Sequence, residues 1–223
     1  MAFTGFDKTF FAFLKLLKAN NNREWFNANK ARYQEEVEAP ALAFIADFAP
    51  KLKAISPRFV ADPRRSGGSM FRIYRDTRFS HDKTPYKTHV GLHFWHDGEG
   101  LESAPTFYLH LQPGEIFGGG GVWHPDPLTL RKIRLRIDEA PKEWKAVLAA
   151  KLDIEGGSLK RVPAGFAADH PFAADLKRTD HFASEEFTAA DLSSAKFIDR
   201  YAATCKRMAP LMKFLTAAAG QKW

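Results

Sequence analysis

The chain has 223 residues, 45% of them hydrophobic, with 20 Phe and 5 Trp. An apolar share of that size builds a core and excludes wholesale disorder. The lone cysteine, Cys205, excludes an internal disulfide and a four-cysteine zinc site, and the formal charge of +7 is concentrated in two short stretches.

From the N-terminus, Phe10, Phe13, Leu14 and Leu17 recur at helical spacing behind Asp7, which predicts a capped helix over 7–20. Lys15 interrupts the apolar run too early for a signal peptide, and no run of about eighteen apolar residues occurs. The expectation is a soluble cytoplasmic protein with no membrane partner. Asn20-Asn21-Asn22 ends the first helix, and Asn22 caps a second that carries Trp25, Phe26, Tyr33 and Val37. Pro40 bends or restarts that helix, which continues to Ile55. Residues 56–69, with Pro57, Pro63, Gly67 and Gly68, read as a loop.

The middle of the chain changes character. Met70–Asp76, Val90–Trp95 and Thr106–Gln112 are rich in aromatic and β-branched residues and read as strands. Pro113-Gly114 marks a hairpin turn into a fourth strand that starts at Glu115–Phe117. No β-helix-β rhythm appears, so a mainly antiparallel sheet is expected. Asp126-Pro127 starts a helix, Pro141 a second, and residues 158–187 look irregular apart from a short helix after His170-Pro171. A last helix is expected over 194–219, with Cys205 on its apolar face and a kink at Pro210. The fold class is α+β: a central, mainly antiparallel sheet (70–123) between an N-terminal helical part (1–55) and a mainly helical C-terminal part (126–223), all in one domain.

Residues 71–89 form the most distinctive stretch. Arg72-x-x-Arg75-Asp76-x-Arg78-Phe79, Lys83-Thr84-Pro85-Tyr86-Lys87-Thr88-His89, the early Asn21-Asn22-Arg23-Glu24-Trp25-Phe26, Tyr108-Leu109-His110 ahead of Gly118–Gly121, and the run Leu159–Phe166 make the chain resemble the mainly bacterial family called domain of unknown function 2461. That resemblance covers nearly the whole chain and implies one compact domain. It brings no reaction and no ligand, so the residues must carry the functional argument.

Residues 64–87 hold seven Lys or Arg against Asp76 and Asp82, and residues 131–136 hold four with no acid. A localised basic field suits an anionic partner. Strand alternation puts Arg72 and Tyr74 on one face of their segment, with Tyr108, His110 and His93 on matching faces of the next two. If those faces align, they form either a wetted sheet side or the floor of a pocket. In the pocket reading, Arg72, Tyr74, Arg75, Arg78, Lys83, Tyr86, Lys87, His89 and Tyr108 bind a small phosphate- or carboxylate-bearing ligand. His110 is the acid/base group, and Asp76 positions an arginine or acts as base.

The alternative is a nucleic-acid-binding module that uses both basic segments. A third reading, a scaffold protein, spends the arginines on internal ion pairs. Gly118–Gly121 lacks the Lys-Ser/Thr and the helix start of a phosphate loop, so a turn, a bulge or a close backbone approach is expected. No diagnostic metal spacing appears, and the residues name neither a cofactor nor an oligomeric state.

Overall fold

The computed structural model describes residues 2–98 and 104–223. Among the described residues five strands form one antiparallel meander in chain order: β1 Phe59–Val60, β2 Val90–His96, β3 Thr106–Gln112, β4 Glu115–Val122 and β5 His181–Glu186. The helices before the sheet are α1 Lys8–Ala19, α2 Arg23–Ala28, α3 Lys30–Tyr33 and α4 Ala39–Ile55. After β4 come α5 Pro127–Glu139, α6 Pro141–Ala149, α7 Ala173–Leu176, α8 Ala189–Leu192 and α9 Phe197–Ala218. The chain is thus an α+β protein with a central antiparallel sheet between N- and C-terminal helices.

Local chemistry explains the helix boundaries. Asp7 accepts from the Thr9 and Phe10 amides, Asn22 from Trp25, and Asp126 from Leu128 and Thr129, so each start has a side-chain cap. The passage from α3 into α4 is a π-turn over Gln34–Glu38, which lets the chain reach Pro40 in the first turn of α4, where its missing amide costs nothing.

One sheet face is the core. Leu92, Phe94, Phe107, Leu109 and Leu111 are fully buried against α4 and α9. Phe48 of α4 lies 4.9 Å from Phe94 and 5.0 Å from Tyr201 of α9, ring to ring. Each such side chain contributes roughly 1.5–3 kcal/mol by leaving water. Cys205 belongs to this layer; burial pushes its thiol well above the ordinary value, so it acts as packing and not as a nucleophile.

Two of the four glycines of β4, Gly118 and Gly120, face α9. A Cβ on Gly118 would meet the Tyr201 ring at 2.6 Å, and one on Gly120 would meet Phe107 at 2.9 Å and Met212 at 3.0 Å. Their bare backbone lets α9 lie close on the sheet. The glycine run is therefore a strand that continues β4, and neither a turn nor a phosphate loop.

Three expected elements need correction. Residues 70–76 do not form a continuous strand. They run antiparallel to 85–92, joined by scattered backbone hydrogen bonds such as Phe71 to Gly91 and Lys87 to Ile73, and form only the isolated bridges Met70–Leu92 and Tyr74–Tyr86 rather than a ladder. Only Ile73 of this segment is buried, and Arg72, Tyr74 and Asp76 face water, so the hydrophobic ladder that would sustain a strand is missing. Conversely, β5 lies inside the stretch read as irregular. Its helix-facing positions include Glu185, which is bonded to Thr204 and Arg207 of α9, so its apolar alternation is broken. The two-residue β1 is too short to leave a pattern.

Candidate functional site

The second face of the sheet is polar and aromatic. In the β2–β3 register His93 is opposite Tyr108 and Gly91 opposite His110. The Tyr108 hydroxyl lies 3.0 Å from Nδ1 of His110, and the His110 ring stacks on Phe117 at 4.9 Å. Gly91 makes room for this arrangement: a Cβ there would sit 2.7 Å from the Tyr108 hydroxyl. The segment after β1 covers part of the face, and Phe71 stacks on His93 at 4.3 Å with the rings 10° apart.

Beside this row opens a cleft of about 360 Å³ whose lining includes Lys18 of α1, Asn21, Arg75, Thr84, Lys87 and His89. Asn21 holds the far wall in place. Its amide donates to the Tyr86 carbonyl at 2.9 Å, and its carbonyl accepts from the Tyr86 amide at 3.1 Å. Tyr86 itself is buried and stacks on Phe26 at 4.1 Å. Its ring is a packing element, and Tyr74 packs beside it at 5.5 Å while remaining half exposed.

The cations divide into two groups. Arg75 bonds Asp82 at 2.5 Å and also the Thr84 hydroxyl, so it pins its own loop. Arg78 grips both oxygens of Asp76, at 3.0 and 2.7 Å, and Lys83 donates to the Thr77 carbonyl at 2.9 Å. Arg72 and Lys87 differ. Among the described residues neither has a hydrogen-bonded carboxylate partner. Lys87 donates to the Arg72 carbonyl at 3.0 Å and lies 5.3 Å over the Phe71 ring. Burial pushes the Lys87 ammonium down, and the Arg72 charge adds to that.

The histidines are held neutral. The His89 ring lies 4.6 Å from His110. Burial is the main reason its pKa falls to about 4, followed by His110 and Lys87. Burial also lowers His110 and His93, and raises Tyr108 to about 12. His110 is buried, and its Nε2 has no partner among the described residues.

The expected site residues therefore fall into three places. Lys87, His89 and Arg75 line the cleft, with His110 and Tyr108 directly behind His89. Arg72 stands at the edge beside Lys87, with Tyr86 as a support. Asp76, Arg78, Lys83 and Tyr74 lie on the outer, exposed part of the segment. Asp76 is engaged by Arg78, which holds its carboxyl below the ordinary range, and no described contact joins it to His110. It is thus a latch on the loop. The residue exposed to the cleft is His89, one layer in front of the His110 favoured from sequence. Lys18 and Asn21 join the cleft without having stood out as site residues; Asn21 lies in the polar run that ends α1 and in the Asn21–Phe26 stretch shared with the family, and Lys18 carries no signal beyond its place in the last turn of α1.

Arg134 and Arg136 of the second basic segment are used internally: Arg134 donates to the Leu176 and Arg178 carbonyls, and Arg136 to Glu143. Among the described residues no three His, Cys, Asp or Glu side chains are grouped to hold a metal ion, and no helix is long and apolar enough to cross a membrane.

A family model described as "Conserved hypothetical protein (DUF2461)" matches residues 9–214. The chain belongs to that family. No curated protein and no solved structure matches it. The span shared with the DUF2461 family takes in every residue of the cleft, from Lys18 to His89, together with the Tyr108–His110 pair.

Proposed function

We propose that the cleft binds a small phosphate- or carboxylate-bearing molecule, and that His89 exchanges a proton with it. The supporting observation is Lys87: a partly buried ammonium without a carboxylate partner among the described residues, next to a neutral imidazole and to the exposed Arg72. A desolvated cation gains most from a counter-ion delivered into the same site. Lys18 and Lys87 supply charge, and Arg72 supplies a fork suited to a planar or tetrahedral oxyanion. The anion in turn favours the protonated form of His89, while Tyr108 and His110 fix the layer behind it. A phosphorylated or carboxylated metabolite whose reaction needs one proton delivered or removed fits this arrangement.

Calorimetric titration with inorganic phosphate, a phosphomonoester and a dicarboxylate tests the reading. Lys87→Met keeps the methylenes over Phe71 but removes the charge; it should weaken binding tenfold or more, as should Arg72→Ala. Unchanged affinity in both variants overturns the proposal.

The nucleic-acid reading predicts a different result. Its affinity should grow with strand length and fall steeply with salt, by about 0.9 log units per phosphate contact for each tenfold change in salt on duplex. The internal engagement of Arg134 and Arg136 leaves that reading fewer cations to work with.

A further inference from the structure

Tyr74 stands beside the cleft with its ring braced and half in water. It packs at 5.5 Å on Tyr86, which lines the cleft, and at 6.4 Å on Phe26 of α2, with interplanar angles of 47° and 68°. Neither contact is parallel, so among the described residues no ring lies flat on Tyr74. The residue is 50% exposed, and a flat partner laid on its open face would remove that apolar area from water.

The backbone fixes where this ring stands relative to the cations. The Phe71 amide donates to the Gly91 carbonyl at 3.0 Å, the Arg75 amide to Pro85 at 2.9 Å, and the Ile73 carbonyl accepts from the Lys87 amide at 2.7 Å. These bonds hold 71–75 extended. Ile73 is buried, whereas Arg72 and Tyr74 on either side of it are exposed. Two residues of extended chain set Arg72 and Tyr74 about 6.6 Å apart. The Lys87 ammonium is tied to the Arg72 carbonyl at 3.0 Å, so both cations stand at the same end of this short stretch. Asp76, next on the exposed side, does not neutralise them by hydrogen bonding, since Arg78 takes both its oxygens at 3.0 and 2.7 Å. An oxyanion site and a braced, open ring thus lie one short spacer apart. A nucleoside monophosphate has that form, with a sugar between its flat base and its phosphate. An inorganic or alkyl phosphate offers nothing to the ring.

We propose that the ligand of the cleft is a ring-bearing phosphate of the nucleoside monophosphate class, its phosphate at Lys87 and Arg72 and its base stacked on Tyr74. This rests on the anion reading of the cleft and adds the class of molecule that carries the anion.

The test is calorimetric titration of the full chain with adenosine and uridine monophosphates, ribose 5-phosphate, phenyl phosphate and inorganic phosphate. Both nucleotides should bind about five- to hundredfold more tightly than ribose 5-phosphate, the range that stacking one base on an aromatic side chain gives. Phenyl phosphate, whose ring has no spacer, should bind no more tightly than ribose 5-phosphate. Tyr74→Ala should bring the nucleotides down to the ribose 5-phosphate level and leave ribose 5-phosphate itself unchanged, whereas Tyr74→Phe should keep the gain. Circular dichroism of both variants should match the wild type, because the position is exposed. If the phosphates bind but the nucleotides gain nothing, if phenyl phosphate binds as tightly as they do, or if Tyr74→Ala retains the gain, the proposed class is wrong and the anion site stands. If none of these ligands binds, the anion site fails and the class fails with it.

Discussion

Asn21 and Tyr86 are joined across 65 residues by two hydrogen bonds, the side-chain amide of one reading both backbone groups of the other. The contact does for the 70–89 segment what a strand partner would otherwise do. Removing it with Asn21→Ala should cost about 1–3 kcal/mol of stability, since two partly buried backbone groups lose their partner. It should also weaken anion binding, because Lys87 and His89 follow Tyr86 directly in the chain. Urea unfolding and phosphate titration of the variant check both outcomes.

Gly118 determines how closely α9 approaches the sheet. In Gly118→Ala the new methyl would overlap the Tyr201 ring at 2.6 Å and Phe187 at 2.9 Å. Neither ring has free space to move into, because Tyr201 is fully buried and Phe187 nearly so. The expected loss is about 1–3 kcal/mol by chemical denaturation. Gly114→Ala, where no atom lies within 4 Å of the added Cβ, still places alanine at φ +88° and so isolates the cost of backbone strain from that of overlap.

Stability should fall in mild acid. His181 is fully buried, and its pKa is pushed down to about 3, chiefly by burial and then by Arg178 and Arg134. His89 is lowered to about 4 from 6.5, and His93 and His110 are lowered as well. The unfolded chain therefore binds more protons than the folded one between pH 6.5 and about 3. The stabilisation is complete above pH 6.5 and is lost as pH falls through that window. His181→Leu should flatten the acid limb of a plot of unfolding free energy against pH.

The role of Asp76 separates two accounts of the outer segment. As a latch on Arg78, Asp76→Asn should scarcely move the unfolding midpoint, since the pair is exposed and screened. It should also leave phosphate affinity near the wild-type value. As a catalytic base it would instead be indispensable to any turnover the cleft supports, so a loss of activity at unchanged affinity would restore the sequence-based assignment.

The sequence made some layers legible and hid others for physical reasons. α1, α5 and α9 carry caps or long apolar stripes, and β2 and β3 alternate cleanly, so the α+β class and the His93–Tyr108–His110 face could be read directly. Residues 70–76 look like a strand by composition, yet their aromatics pack individually, Phe71 on His93 and Tyr74 beside Tyr86, without a shared buried face. β5 was hidden because Glu185 stands where an apolar residue would mark the inner face. Charge alone could not divide the arginines: Arg75 and Arg78 are satisfied by carboxylates seven and two residues away, whereas Arg72 is not. The order of the two histidines depends on how the 85–89 turn folds back on β3, which no local pattern encodes.

The most direct test of the account is the titration of the His89 ring by NMR with and without sulfate, whose charge is constant between pH 4 and pH 8. The free protein should show His89 titrating near pH 4. Saturating sulfate should raise that value, and by reciprocity sulfate affinity should increase as pH falls. The Lys87→Met variant should show a much smaller upward shift on adding sulfate. A His89 that titrates at the same pH in both conditions, or near 6.5 in the free protein, would contradict the assignment of the cleft as an anion site.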